Sequence, residues 1–363
     1  MQKKLIALAV AGAAAGFASA PALAQSSVTV YGVIDQALTS QNQSSGSTVT
    51  SLLGSGYTTE RLGFKGSEDM GNGLKANFML ETGFNSSRGT ADAAFWQRTS
   101  TVGLSAESWG AVNFGRQYTP LFSIQAQNDL FRVAGIGSIY SLTNVGVTRA
   151  SNSIRYDSPS MSGFSVAAMY AVGDTSAATD GIHAGGTADS STGAAGVPMN
   201  LGRDAGFNVK YGNGPLALGL GYDKLYLVAP IATFYDAQKT WNFTGSYDFK
   251  VVAVQAGYQE SKIDNNVADN SVWNVGATVP VFGADSVKLQ YSDRHDKLTD
   301  NADSKLTSVG YVHPMSKRTT LYATYAHMSN GAKVNQGFIF GHTGAITNGD
   351  NANGFQLGLS HNF

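Results

Sequence analysis

The feature that most constrains the fold is a two-residue alternation of apolar with polar or small side chains, repeated along most of the chain. In 239–249, for example, Trp241, Phe243 and Tyr247 alternate with Asn242 and Thr244. Successive side chains of a strand point to opposite faces, so each such stretch predicts a strand with one apolar face. Sixteen stretches have this pattern, near 27–39, 57–68, 73–85, 95–106, 109–117, 152–158, 163–172, 203–213, 215–225, 239–249, 251–261, 271–280, 285–294, 304–313, 319–329 and 353–363.

The connections between these stretches alternate between short and long. Short ones include "EDMGNG" (68–73), "GNGP" (212–215) and "PMSKR" (314–318), whereas the long ones are 40–56, 118–151, 173–202, 226–238, 295–303 and 330–352. Membrane barrels have short turns at one end, long loops at the other and an even strand number. Backbone groups in a bilayer must pair internally, so the sheet must close. We therefore predict an all-β fold, a sixteen-stranded antiparallel transmembrane β-barrel. The alternative is a secreted β-sandwich or β-helix, although no fixed short repeat supports a β-helix.

Residues 1–24 have the three-part pattern of a secretory signal peptide. Lys3 and Lys4 precede an uncharged apolar run that extends to about Phe17, and the segment closes on Ala22-Leu23-Ala24. The run is shorter than the roughly 20 residues that a membrane-spanning helix needs. We expect export, with residues 25–363 forming a single barrel domain.

Charge and cysteine content exclude several classes of function. Without Lys3 and Lys4, 22 of the 24 basic residues remain against 25 acidic ones, a net charge of −3. This balance argues against a strongly basic nucleic-acid binder. The chain has no cysteine, so disulfides, thiolate metal sites and cysteine nucleophiles are excluded.

Several stretches resemble the general diffusion porins of Gram-negative bacteria, especially the beta-proteobacterial branch. They are "SSVTVYGVIDQAL" after the leader, "RLGFKGSEDMGNGLKANF" (61–78), "VNFGRQYTP" (112–120) and "NSIRYDSP" (152–159). The resemblance implies a homotrimer in the outer membrane, surrounded by lipid and lipopolysaccharide. Each subunit would have a water-filled pore for small hydrophilic solutes and ions. It also implies that the third long loop folds into the barrel and narrows the pore.

That loop corresponds to about 118–151 and is unusually apolar for a surface connection. Its apolar residues include Leu121, Phe122, Ile124, Leu130, Phe131, Ile136 and Ile139. A loop with so much apolar surface should bury it, and the inner barrel wall offers the cover. An exposed loop at a partner interface is the alternative.

The candidate site residues are charges that alternation or motif match assigns to the pore. Alternation puts Arg61 and Lys65 opposite the apolar Leu62 and Phe64, and it likewise turns Glu81 and Arg155 toward the lumen. In related porins, basic wall residues face acidic ones near or on the inward loop. By this resemblance the wall cluster is Arg61, Arg98 and Arg155, with Glu81 close by and Asp129 on the loop. Charges that line a narrow passage determine which ions cross easily, so we expect a weak to moderate anion preference.

The direction of Arg98 and Arg116 is ambiguous. Extending the alternation of Val102 and Leu104 backwards places Arg98 on the lipid side. Arginine there costs roughly 2–4 kcal/mol at mid-membrane. We therefore expect a bulge, or a position beyond the apolar band, and Arg116 in "FGRQ" has the same ambiguity. All candidates for the constriction are Arg61, Lys65, Glu81, Arg98, Arg116, Asp129 and Arg155.

Enzyme and adhesin functions are the alternatives to a channel. The histidines are scattered without zinc-ligand spacing, and there is no G-x-S-x-G elbow. The stretch "GDTSAATDG" (173–181) lacks the terminal Glu of a calcium loop. We expect no catalytic site, no metal and no cofactor.

The stretch "NGFQLGLSHNF" (353–363) is a final amphipathic strand that ends in an aromatic residue. In a closed barrel it should pair with the first strand. The resemblance implies that Phe363 also serves recognition by the barrel-assembly machinery.

Overall fold

The computed structural model describes residues 27–43, 46, 48–92, 94–143, 148–172, 203–226, 237–341 and 346–363. The expected leader, 1–24, lies outside the described residues. The strands are β1 (Ser27–Gln43), β2 (Val49–Gly54), β3 (Arg61–Gly71), β4 (Leu74–Thr82), β5 (Phe84–Asn85), β6 (Thr90–Ala91), β7 (Thr99–Ala106), β8 (Gly110–Tyr118), β9 (Arg149–Asp157), β10 (Phe164–Val172), β11 (Arg203–Asn213), β12 (Leu216–Tyr226), β13 (Ala237–Asp248), β14 (Ala253–Ile263), β15 (Ala268–Pro280), β16 (Ser286–Asp296), β17 (Ser304–Pro314), β18 (Thr319–Asn330) and β19 (Ala352–Asn362).

The described helical segments are short. They are one α-helix, α1 (Pro120–Gln127), and two 3-10 turns, Ile139–Ser141 and Asp264–Asn266. No helix in the described ranges is long and apolar enough to cross a membrane.

The main sheet closes on itself through its first and last strands. β1 pairs antiparallel with β19 from Val33↔Asn362 to Gln43↔Ala352. Its other edge pairs with β3 in its first half and with β2 in its second half. β2 and β3 therefore occupy one position in the barrel, and the seventeen strands of the sheet make a closed sixteen-stranded antiparallel barrel. The predicted fold class is confirmed.

The second barrel strand differs from the prediction, because it is interrupted at 55–60. The carboxylate of Asp35 accepts the backbone N–H groups of Gly56 (3.1 Å), Tyr57 (3.0 Å) and Thr58 (2.8 Å). These donors are consequently withdrawn from the ladder between strands. The predicted long loop 40–56 is in fact largely strand, since β1 extends to Gln43 and β2 begins at Val49.

The distribution of polarity is inverted relative to a soluble protein. On β19, Leu357 is 47% exposed on the outer face while its neighbour Gln356 is fully buried inside. Outward apolar side chains suit a hydrocarbon solvent, and inward polar ones line an interior that holds water or protein. The alternation therefore assigns the faces of β19 as the sequence predicts.

A short turn illustrates how the sequence determines the register. Asn72 and Gly73, in "EDMGNG", have φ of 54° and 77°. Asn-Gly tolerates these positive values, which a two-residue primed hairpin turn requires. β3 and β4 are therefore joined directly.

The connection between β8 and β9 folds into the barrel, as predicted. Leu121, Ile124 and Ile136 on this connection are fully buried. α1 lies against β11, β12 and β13. A Cβ at Gly221 would meet Leu121 and Ile124 atoms at 3.1 Å, so the small wall residue permits the close approach. The apolar loop surface is thus covered by the inner wall.

Candidate pore constriction

The loop between β8 and β9 is fastened to the wall mainly by hydrogen bonds of uncharged polar groups. In its first half, hydrogen bonds join Asn208 Nδ2 to Pro120 O (2.7 Å), Gln125 Nε2 to Gln259 Oε1 (2.5 Å) and Asn128 Nδ2 to Asn274 Oδ1 (2.6 Å). In its second half they join Ile136 N to Gln356 Oε1 (3.0 Å), Ser308 Oγ to Gly137 O (3.0 Å) and Gly135 N to Ser55 O (2.9 Å). The polar inner faces of strands on several sides of the barrel therefore fix the loop's path.

Asp129 organises the tip of this loop. The residue is 5% exposed, and its carboxylate accepts from Phe131 N (2.9 Å), Val133 N (3.0 Å) and Ser138 Oγ (2.5 Å). Burial raises the pKa of this carboxyl above its usual range. Its hydrogen-bond partners lie on the loop and, through Gln290 Nε2 at 3.4 Å, on β16. The carboxylate is used in loop structure, in contrast to the expectation of an acid that faces the wall arginines.

The loop tip has an unusual backbone. Arg132 and Val133 have φ of 63° and 54°. Positive φ at a β-branched residue such as valine is rare and costs of order 1–3 kcal/mol. The two N–H groups bound by Asp129 flank Arg132 and stabilise this conformation. Because Asp129 is buried and Arg132 is exposed, the charge that the loop tip presents is the positive charge of Arg132.

A cluster of arginines lies on the wall. Arg98 Nε is 2.7 Å from Glu81 Oε1, and both side chains are less than a tenth exposed. Arg98 Nη2 donates to Tyr118 OH at 2.8 Å. Arg149 Nη2 donates to the same hydroxyl, and its guanidinium carbon lies 4.1 Å from the centre of the Tyr118 ring. One tyrosine thus holds two guanidinium groups together.

Arg61, at the start of β3, completes the cluster. Its Nε donates to Thr59 O (3.0 Å) and its Nη2 to Thr59 Oγ1 (2.8 Å). Its charge interacts with those of Arg98 and Glu81. Glu81 also accepts from Tyr31 OH at 3.0 Å. Three cations therefore share this part of the wall with Glu81, which is already bonded to Arg98, and with Asp92, whose charge also interacts with Arg98.

Arg149 was not among the residues predicted from the sequence. β9 begins at Arg149, three residues before the predicted start, and Asn152 has φ of 52°. The pairing of β8 with β9 also shifts register between Gly115 and Gln117. The strand predicted over 152–158 stops short of Arg149, and an irregularity of the kind that exchanges the two faces of a strand separates Arg149 from the residues that alternation does assign.

Arg155 and Lys65 line a recess beside the cluster. The recess has a volume of about 490 Å³ and is also lined by Glu81 and Tyr118. Arg155 Nη2 lies 2.6 Å from Asp157 Oδ1, and Arg155 Nη1 donates to Tyr118 O at 2.8 Å. Lys65 Nζ is 5.3 Å from the centre of the Tyr31 ring. Arg155 is near the cluster, but its charge is paired with its own acid.

Arg98 and Arg116 differ in position. Arg98 lies at a bend just before β7, so the strand alternation does not apply to it. Arg116 pairs with Ser100, which lies opposite Leu80 on the outer face. The Arg116 guanidinium donates to Gln97 O (2.5 Å) and Ser151 Oγ (2.8 Å). The structure thus separates Arg116 from the lumen cluster.

Metal coordination has no basis in the part of the chain that the structure describes. No group of three or more His, Cys, Asp or Glu residues there is placed to hold a metal ion.

Comparisons with known proteins agree with this geometry. The family model of Gram-negative porins matches residues 7–333. The outer membrane porin protein 32 of Delftia acidovorans is 34% identical, with 100% of each chain covered. An outer membrane porin protein of Bordetella pertussis is 30% identical, covering 92% of this chain and 95% of that one. Among solved structures, the anion-selective porin from Comamonas acidovorans is similar with a TM-score of 0.81 at 31% identity, covering 93% of this chain and 100% of that one.

Proposed function

The chain belongs to the Gram-negative porin family, and we propose that the cluster of Arg61, Arg98 and Arg149 gives its channel a preference for anions. The protein is an outer-membrane channel, not an enzyme, and it passes small hydrophilic solutes and ions by diffusion. The proposal concerns which residues control that passage and in which direction they bias it.

The observation that carries the proposal is the excess of cations over free acids around the loop. Glu81 is bonded to Arg98, Asp157 is bonded to Arg155, and Asp129 is buried in the loop. Asp92 interacts with Arg98. Asp35 and Glu60 are buried and accept hydrogen bonds from neutral groups. The hydrogen bonds described above for Arg61 and Arg149 are all with neutral groups, so neither positive charge is paired directly with a carboxylate. A positive field in a narrow passage lowers the energy of an anion and raises that of a cation. A related porin described as anion-selective supports the same direction.

The test is ion selectivity of the purified protein in a planar bilayer. Under a KCl gradient, we expect the zero-current potential to lie on the chloride side of zero. A potential on the potassium side contradicts the proposal. Absence of any conductance would contradict the channel function itself.

We extend the proposal to a homotrimer embedded in lipid and lipopolysaccharide. Arg116 supports a protein contact, because it lies on the outer face beside Ser100, where arginine against lipid costs roughly 2–4 kcal/mol at mid-membrane. A neighbouring subunit on this face removes that cost. Channel closures that occur in groups of three are the expected signature.

Phe363 is proposed as the signal read by the barrel-assembly machinery. Its backbone forms two 3.1 Å hydrogen bonds with Gly32, N to O and O to N, and its ring occupies the space of a Cβ at Gly32. Deleting Phe363 removes both its contact with Gly32, where the first and last strands meet, and the proposed signal. We expect assembled barrel in the outer membrane to fall severalfold, whereas the channels that do assemble keep their conductance.

The two roles of Phe363 can be separated with matched variants. Phe363→Tyr keeps an aromatic side chain and should assemble normally, whereas Phe363→Ala should resemble the deletion. Refolding from urea into detergent, without the machinery, should remain efficient for both. Poor refolding of Phe363→Ala would assign the defect to packing against Gly32 instead.

A further inference from the structure

A second group of cations converges on Tyr57, away from the arginine cluster. Tyr57 lies in the 55–60 interruption of the barrel strand, and its ring stacks on Tyr322 with centres 5.3 Å apart. The guanidinium carbon of Arg132 is 4.8 Å from the centre of the Tyr57 ring. Lys288 Nζ is 5.3 Å from the same centre.

These two cations are positioned independently of each other. Arg132 is at the loop tip held by Asp129, and its Nη1 donates to Tyr57 OH at 3.3 Å. Lys288 is on β16, and its Nζ donates to Leu130 O at 2.7 Å. Cation–π attraction to one ring offsets part of their mutual repulsion, but it leaves N–H donors free to bind a ligand.

The polar contacts of Arg132 and Lys288 in the described residues are with neutral groups, the Tyr57 hydroxyl and the Leu130 carbonyl. Asp129 interacts electrostatically with Lys288. However, its oxygens already accept from Phe131, Val133 and Ser138. Asp35 is a further carboxylate close to the ring, but it is fully buried and accepts from Tyr57 N and Tyr322 OH. Two positive charges at one ring, with no carboxylate bonded to either of them, form a site that favours an anion.

We propose that Arg132, Lys288 and Tyr57 form a second anion-binding site on the loop side of the constriction, which takes a small doubly charged oxyanion. Guanidinium binds two oxygens of an oxyanion at once and ammonium supplies a point charge, so two charges on the ligand match two on the protein. The site adjoins the arginine cluster, because Thr58 and Thr59, next to Tyr57, bind Arg61. This inference rests on the proposed anion-preferring channel.

The experiment uses sulfate as the probe, in planar bilayers at pH 6 and constant ionic strength. Sulfate should bind and reduce the chloride current of the wild-type channel. In Arg132→Gln, and separately in Lys288→Gln, the half-blocking sulfate concentration should rise roughly tenfold, as for the loss of one charge-assisted hydrogen bond. Arg132→Lys should restore part of the block.

Arg88→Gln is the matched control, since it removes an exposed cation in the connection between β5 and β6, outside this site; sulfate block should be unchanged. Heat-resistant oligomer on gels verifies folding, and two independent variants protect against one that misfolds. Block that is absent in wild type, or unaltered in both variants, overturns the second site. The chloride-side potential of the wild type without sulfate tests the proposed function separately.

Discussion

Replacing Arg61, Arg98 and Arg149 together with glutamine is expected to move the zero-current potential in a KCl gradient from the chloride side to neutral or to the potassium side. The change leaves Glu81 without its arginine partner, so the local charge changes sign. One unit charge at 4 Å is worth about 1 kcal/mol even at the dielectric constant of water. Losing three should therefore alter the chloride-to-potassium permeability ratio by at least about tenfold.

Two comparisons make this result specific. A quadruple variant that adds Glu81→Gln removes the buried acid as well, so its potential should move back toward the chloride side and no longer favour potassium. In a second triple variant, Arg61, Arg98 and Arg155 are replaced and Arg149 is kept. It should shift the potential less, because Arg155 lies in the recess beside the cluster, whereas Arg149 shares the Tyr118 hydroxyl with Arg98. If all three variants keep the wild-type potential, the cluster does not control selectivity.

The barrel could be predicted from the sequence because its determinants are local. A strand whose two faces meet different surroundings has apolar side chains at every second position. Phe355, Leu357 and Leu359 form such an outward face on β19. The short turns carry their own chemistry, as at Asn72-Gly73. Few folds other than a closed membrane barrel accommodate sixteen such segments with alternating short and long connections.

The constriction could be predicted only in part, because it depends on departures from that alternation. Arg149 and Arg116 lie beside the irregular pairing between β8 and β9, where a shift of one residue exchanges the faces. Lys288 meets Leu130 across a separation of 158 residues, which no local pattern encodes. Asp129 was predicted as an acid of the pore. The sequence does not indicate that Arg132 and Val133 adopt left-handed conformations, or that the Asp129 carboxylate accepts from the N–H groups of Phe131 and Val133.

Asp129→Ala is expected to release the loop tip and to give larger, noisier single-channel currents. The substitution leaves the N–H groups of Phe131 and Val133 without their acceptor in a buried position, while the strained φ at Arg132 and Val133 remains. Loss of hydrogen bonds to a charged group should cost about 3 kcal/mol of loop attachment, or about a hundredfold in the ratio of docked to undocked tip. Noise analysis of single-channel records, together with sulfate block as a report on Arg132, measures the release.

Asp129→Asn provides the graded comparison, since its one carbonyl oxygen can still accept from part of the tip, and its currents should be intermediate. Asp300→Ala removes a carboxylate from an exposed turn and should behave as wild type, which separates loop attachment from a general change in charge. If Asp129 acted instead as a pore acid opposite the arginines, Asp129→Ala and Asp129→Asn would raise anion preference equally, with no added noise. Because loss of attachment affects noise and loss of pore charge affects selectivity, the two roles predict different measurements on the same pair of variants.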